Sequence, residues 1–454
     1  MHRLVFLLTL LACAATAPAT EPEPPREAVR TTAAKPQALG LDQLLDLAYE
    51  RNPDLQAARE RIGQAEAQVA EATAAFYPKL TGAVGYSYTN NPALAFSAIV
   101  SQRRYSPEMN INQPGFVANF RPELIGSMSL FRGGQDYYRK KAAELGVEAA
   151  ELERSALHNR LAAAVAAAYY AALAAPRQVD VARRSLEAVD SELKNARILH
   201  DEGVLLKSDV LSLEVRRAQA KETELKTLNA VDLTRSGLRT LLGLDSTEPL
   251  ELRESADPPT VAQQDNLSGL ITQALVQRPE MLAAARQIDM REKELRAEQG
   301  GHLPRVNAYA AYGINNRSPE FSFNNDNMTM GVNAEIDLFA GGATVARVAG
   351  AERKLAEAQA IRERTRLDIE DDVRKAQANL AEAQQRREVA AAATQSAQEA
   401  LRLVREQYRA GAATVTRYLE AEADQAQSEI HAVTAHHDAL VARAFLQQAI
   451  GSWK

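Results

Sequence analysis

The residues able to carry chemistry are few and scattered. The single cysteine, Cys13, closes the stretch Leu10-Leu11-Ala12-Cys13. One thiol builds neither an internal disulfide framework nor a multi-cysteine metal site. The tetrapeptide resembles a bacterial lipobox, in which Cys13 is lipidated and becomes the new N-terminus; otherwise Cys13 is only part of a cleaved signal. His431, His436 and His437 lie together. His431 and His436 are five residues apart, off the i,i+4 face a chelating pair needs, so they read as surface histidines and no metal site is assigned. No Gly-rich phosphate loop, nucleophile elbow or zincin motif is present. No catalytic residue and no cofactor is assigned, and an enzyme is not expected. What remains is a small set of charges and a tyrosine beside two glycine turns. Asp209 follows Gly203-Val204-Leu205, while Tyr408, Arg417 and Glu420 flank Gly411-Ala412-Ala413.

The chain that positions them has 454 residues, 46% hydrophobic and 25% charged, an ordered composition. Aromatics are only 5%, and much of the apolar share is alanine, as in 161–175. Alanine favours helix while filling little volume, which argues for closely packed helices over a bulky core. A net charge of −6 implies no nucleic-acid surface. No run of 18 apolar residues makes a membrane-spanning helix. The N-terminus reads as a targeting segment, a signal peptide over 1–19, or over 1–12 if Cys13 is lipidated. The proline-rich stretch 20–40 reads as an extended linker.

The chain also repeats itself. Leu41 to Pro53 matches Leu267 to Pro279 at an offset of 226, as do Pro78 and Pro304 and Tyr86 and Tyr312. Later the offset is 208: Leu130-Phe131-Arg132-Gly133-Gly134 matches Leu338-Phe339-Ala340-Gly341-Gly342, and Gly203 matches Gly411. Two copies follow, 41–243 and 267–454, joined by a linker over 244–266. Each predicts a short helix ending at a proline, a longer helix, two strands and a long helical hairpin. The strands are expected at about 80–90 and 122–131, then 305–317 and 327–339, with period-2 alternation and the length of a tilted membrane strand. The hairpins are expected over 135–243 and 343–450, with coiled-coil spacing and small residues at the seam. Pro176 should kink the first. Tyr169-Tyr170 reads as packing. The shortened offset leaves an 18-residue surplus in the first copy, around 91–122, read as an irregular outer loop, with an external lid as the alternative. At the 208 offset Asp209 and Arg417 are equivalent. They could pair on adjacent hairpins, a tie worth only ~0–1 kcal/mol, or stand as two solvated charges.

Four strands cannot close a barrel, and open edges are not tolerated in lipid. Several copies must therefore share one barrel. The duplication, the Leu-Phe-x-Gly-Gly strand end and the glycine hairpin turns resemble the TolC-type outer-membrane efflux family over roughly 40–453. The resemblance implies a homotrimer with a 12-stranded β-barrel in outer-membrane lipid, continued by a periplasmic α-helical barrel. It implies a passive exit duct, joined through a periplasmic adaptor protein to an inner-membrane pump of the RND or ABC type. Cargo would be drugs, metal ions or, by type I secretion, proteins. Gly203, Val204 and Leu205, with Gly411, Ala412 and Ala413, resemble the adaptor-docking turns. Asp209, Tyr408, Arg417 and Glu420 fall at the periplasmic aperture. Two positions depart: Ala413 stands for the usual arginine, and Arg417 for an aspartate. A periplasmic coiled-coil scaffold would account for the helices but leaves the strands unexplained.

Overall fold

The computed structural model describes residues 38–254 and 266–453. Cys13, the signal segment, most of the first linker and residues 255–265 lie outside them. The chain opens with α1 (Leu41–Arg51) and α2 (Pro53–Ala74). Asn52 separates them: its side chain accepts from the N–H groups of Asp54 and Leu55 at 2.9 and 3.2 Å, and Pro53 needs no N–H partner at a first helical position. Next come β1 (Lys79–Thr89), α3 (Pro92–Ser101) and β2 (Val117–Arg132). The first hairpin is α4 (Gln135–Asp201) and α5 (Lys207–Leu242). The second half supplies α6 (Leu267–Gln277), α7 (Pro279–Gln299), β3 (Arg305–Ile314), β4 (Asp326–Glu335), α8 (Ala343–Arg409) and α9 (Val415–Ala449). Helices α4 and α8 have 67 residues each, roughly 100 Å at 1.5 Å per residue.

The strands form one antiparallel sheet in the order β1-β2-β3-β4. Its register aligns Leu80 with Gly126, Leu124 with Tyr312, and Tyr312 with Met328. Because side chains alternate along a strand, this register places Leu80, Val84, Tyr86, Phe120, Leu124, Met328, Met330 and Val332 on one face. The other carries Thr81, Ser87, Asn119, Arg121, Glu123, Asn307, Thr329 and Asn333. The outer edges of β1 and β4 are unpaired within the sheet.

Several elements differ from the sequence reading. Strand β2 starts at Val117, not near 122, because Pro122 opposes Val84 without breaking the ladder. Strand β3 stops at Ile314 and β4 at Glu335. Leu338 and Phe339, 91% and 90% exposed, therefore lie beyond the sheet. The surplus is not wholly irregular: the Asn91 side chain accepts from the N–H groups of Ala93 and Leu94 and starts α3. Ala95, Ala98 and Ile99 bury against Val117. Pro176 sits inside α4, which is helical on both sides of it.

At the level of α1 and α6 the hairpins broaden into cores. Leu44 and Ala48 of α1 pack with Leu161, Val165 and Tyr169 of α4 and Leu238 and Leu242 of α5. The Tyr169 hydroxyl donates to the Arg253 carbonyl at 2.7 Å, satisfying a polar group in a fully buried side chain. Leu270 and Ala274 of α6 pack in the same manner on Ile369 and Val373 of α8. Helix α7 lies against both α4 and α8, whereas α2, its counterpart, lies against α4.

Candidate functional site at the hairpin tips

Each hairpin turns at a glycine in the left-handed region, Gly203 at φ 76° and Gly411 at φ 72°. A side chain there would strain the backbone. The last carbonyls of the long helices are bonded by the turns. Val204 N–H donates to Leu199 at 2.8 Å and Ala412 N–H to Gln407 at 2.8 Å, which closes helix ends that would otherwise leave free acceptors. His200 Nδ1 bonds the Leu205 carbonyl at 3.0 Å. Val204 and Leu206 are 71% and 70% exposed. Ala412 is exposed, and Leu205 and Ala413 are half-buried.

Behind the turns a small apolar cluster unites the two hairpins. Leu193, Val210 and Leu213 of the first meet Leu401, Val404, Val415, Tyr418 and Leu419 of the second, with Leu205 and Tyr408 against its edge. The Tyr408 and Tyr418 rings stack at 5.3 Å and 13°. Burial pushes the Tyr408 phenol well above its usual range, and the Glu192 carboxylate, its hydrogen-bond partner, adds to the effect. Burial also raises the Tyr418 phenol, against the opposing pull of Arg405. Both phenols are therefore neutral at physiological pH, which suits a packed pair.

The aperture residues of the sequence reading do not all come together. Asp209 is near enough to Tyr408 to act on its phenol. Arg417, however, turns to Glu420 on its own helix at 3.4 Å, an exposed i,i+3 pair. The expected Asp209–Arg417 tie does not form within the protomer. Equivalent positions on two similar hairpins face equivalent directions and do not thereby face each other.

The tie that does join the hairpins lies deeper. Glu422 on α9 is 2% exposed. Its carboxylate accepts from Ser185 Oγ of α4 at 2.6 Å and pairs with Arg216 of α5 at 3.3 Å. A carboxylate buried to this degree needs such partners. Farther along, Arg184 of α4 pairs with Glu429 of α9 at 3.0 Å, and Gln178 of α4 donates to Thr434 of α9 at 2.9 Å. Sequence reasoning missed Glu192, Ser185, Arg216 and Glu422. One signal was available: Val415, Leu419, Glu422 and Ala426 follow the four-three-four spacing of a coiled-coil seam, so Glu422 is a charge at a core position. The histidines are held locally, His431 by Gln427 at 2.6 Å and buried His437 by the Val433 carbonyl at 2.8 Å. Among the described residues no group of three or more His, Cys, Asp or Glu is placed to hold a metal ion.

Comparison with known proteins agrees with this architecture. The chain is 26% identical over 414 residues to the outer membrane efflux protein BepC of Brucella suis, covering 89% of this chain and 83% of that one. It is 24% identical over 351 residues to the alkaline protease secretion protein AprF of Pseudomonas aeruginosa, covering 74% and 67%. Among solved structures, the Campylobacter jejuni CmeC outer membrane channel superposes with a TM-score of 0.80 at 16% identity, over 91% of this chain and 85% of that one. VceC of Vibrio cholerae gives 0.75 at 19% identity, over 90% and 96%. The sequence model of the outer membrane efflux proteins matches residues 44–244 and again 270–452, once over each half with its strand pair and hairpin. With both halves matched, the chain belongs to the outer membrane efflux protein family.

Proposed function

We propose that three copies of this chain assemble into a passive exit duct: a 12-stranded barrel in the outer membrane, continued by a tunnel of helices through the periplasm. The observation that carries the reading is the sheet. It has one apolar face running over all four strands, one polar face, and two unpaired edges. Strand β4 of one copy would pair with β1 of the next, leaving no open edge in lipid, with the polar face around the lumen. The half-partnered α2 supports the same closure. Its counterpart α7 lies between α4 and α8, so α2 would lie between its own α4 and the α8 of a neighbour. The exposed turns at Gly203 and Gly411 would dock a periplasmic adaptor, through which an inner-membrane pump drives export. Asp209, Tyr408, Arg417 and Glu420 would line the closed aperture. Protein extracted in detergent is expected to show about three times the mass of the 49.5 kDa chain, less any removed targeting segment. A monodisperse monomer would overturn the architecture.

The cargo we favour is small toxic compounds, drugs or metal ions. The resemblance to AprF, named for protease secretion, keeps type I protein secretion as the second reading. A strain lacking the gene is expected to become selectively sensitive to some of a panel of dyes, antibiotics, bile salts, copper, silver, zinc and cobalt. Unchanged resistance with a protein lost from the medium would favour secretion instead.

A further inference from the structure

The two halves link their strands differently at the outer end of the sheet. Residues 315–325 join β3 to β4 without an α-helix, whereas the link from β1 to β2 contains α3. The two links also fold to opposite faces. Phe321 of the shorter one packs edge-on against Phe120 of the apolar face, with ring centroids 5.6 Å apart. Helix α3 instead buries Ala95, Ala98 and Ile99 against Val117. By alternation Val117 shares the polar face with Asn119 and Arg121. Buried Gln102 donates to the Ala118 carbonyl at 2.8 Å and to Asn119 Oδ1 at 3.0 Å. Asn119 in turn donates to Asn315, just past β3, at 2.9 Å.

The end of this segment reaches the opposite edge of the sheet. Arg103 Nη2 donates to Asp326 Oδ1 at 3.0 Å and to the Asp326 carbonyl at 3.1 Å, at the first residue of β4. Arg103 holds φ at 53° and is the one non-glycine residue at positive φ among the described residues. Such a backbone persists only where its surroundings impose it. The dimensions agree. Helix α3 has 10 residues and is about 15 Å long, while β1 and β4 stand about 14 Å apart across three strand spacings. The segment thus runs from β1 over β2 and β3 to β4, a strap across the polar face with one arginine tying its end.

We infer that α3 is a fixed constriction of the outer mouth, and that it limits the cargo to small compounds. The inference rests on the trimeric duct, in which the polar face surrounds the lumen. Twelve strands about 4.8 Å apart and tilted by about 40° enclose a backbone bore roughly 24 Å across. Three helices about 10 Å thick, grouped around the axis, span roughly 22 Å. One α3 per protomer therefore leaves a narrow opening, edged by Leu94, Phe96 and Val100, which α3 leaves exposed. A drug-sized molecule passes such an opening, and a polypeptide does not while Arg103 holds the strap.

Cysteine labelling in intact cells making the full chain tests it. Asn333→Cys places a thiol on the polar face of β4, inward of α3. Ser318→Cys places one in the outer link between β3 and β4. The natural chain, with Cys13 alone, is the blank. A small charged maleimide, or a maleimide on a long polyethylene glycol chain, is added from outside. The small probe is expected to label both variants. The long probe is expected to label Asn333→Cys at least about tenfold more slowly than Ser318→Cys. Adding Arg103→Gly, which suits the left-handed backbone and removes the tie, should shrink that ratio several-fold. Replacing residues 92–113 with a short glycine–serine link should abolish it. Equal rates with α3 intact would overturn the inference, as would an exclusion that survives removal of α3 or is untouched by Arg103→Gly. If the Asn333→Cys protein is monomeric by mass in detergent, the trimeric reading itself fails.

Discussion

Arginine at Met330 is expected to remove the assembled, membrane-inserted form of the protein, while arginine at the neighbouring Thr329 leaves it. Met330 is 66% exposed in the protomer and lies mid-strand on β4, opposite Ala310 and on the apolar face with Val84 and Tyr86. A guanidinium facing lipid near the midplane costs about 2–4 kcal/mol per site, and a trimer would bear it three times. Thr329, opposite Ala311, belongs to the polar face. A long cation there points to water and should change assembly little. Heat-modifiable mobility on gels, with and without boiling, reads the outcome. Equal tolerance of both substitutions would mean that the faces are assigned wrongly, or that the sheet does not meet lipid.

The second large effect is expected at Gly133, between β2 and α4. Its φ is 62°, and a Cβ there would sit 2.1 Å from the Gly300 carbonyl oxygen and 2.9 Å from Leu303 Cβ. Two penalties add. The left-handed conformation costs a non-glycine residue roughly 1–2 kcal/mol, and backbone against backbone has no flexible end to yield. Gly133→Ala should therefore drive apart the end of α7 and the start of α4, with little folded protein recovered. Gly237→Ala is the opposite case. Gly237 is exposed in the interior of α5 with nothing within 4 Å of a new Cβ, so the change should stabilise by about 0.5–1 kcal/mol. Folded yield and urea titration of the solubilised protein would separate them. Similar behaviour would contradict the close approach of Gly133 and Gly300.

The mainly helical class with a small antiparallel sheet was legible because its punctuation is strong. Prolines at 53 and 279 and glycine pairs at 133–134 and 341–342 mark changes of period that hydrophobic spacing reads. What was hidden has physical reasons. Pro122 and the aromatic residues around it read as loop, yet the proline sits midway along the β1–β2 ladder, opposite Val84 and one residue short of the β2–β3 ladder that begins at Glu123, and Asn91 caps a helix in the same stretch. The tip turns were visible as glycine signals, but the tie at Glu422 was not. Its partners Ser185 and Arg216 lie 237 and 206 residues away in sequence, and no local pattern joins them. Within the protomer Arg417 pairs with Glu420 and not with Asp209, for a related reason. Sequence symmetry gives correspondence, whereas contact depends on which faces the helices turn to one another.

The identical length of α4 and α8, 67 residues each, limits how this protein can change in evolution. One residue inserted into α4 would advance its tip by about 1.5 Å and turn everything beyond it by about 100°. Ser185 would then point away from Glu422, and the two turns would stand at different heights. Only a change made in both long helices, in whole heptads and matched in α5 and α9, preserves the seams and a level tip. The duct's reach across the periplasm can therefore lengthen or shorten only in paired steps of roughly 10 Å. Loops at the far end of the sheet carry no such restriction, and the surplus of the first half lies in one of them, between β1 and β2.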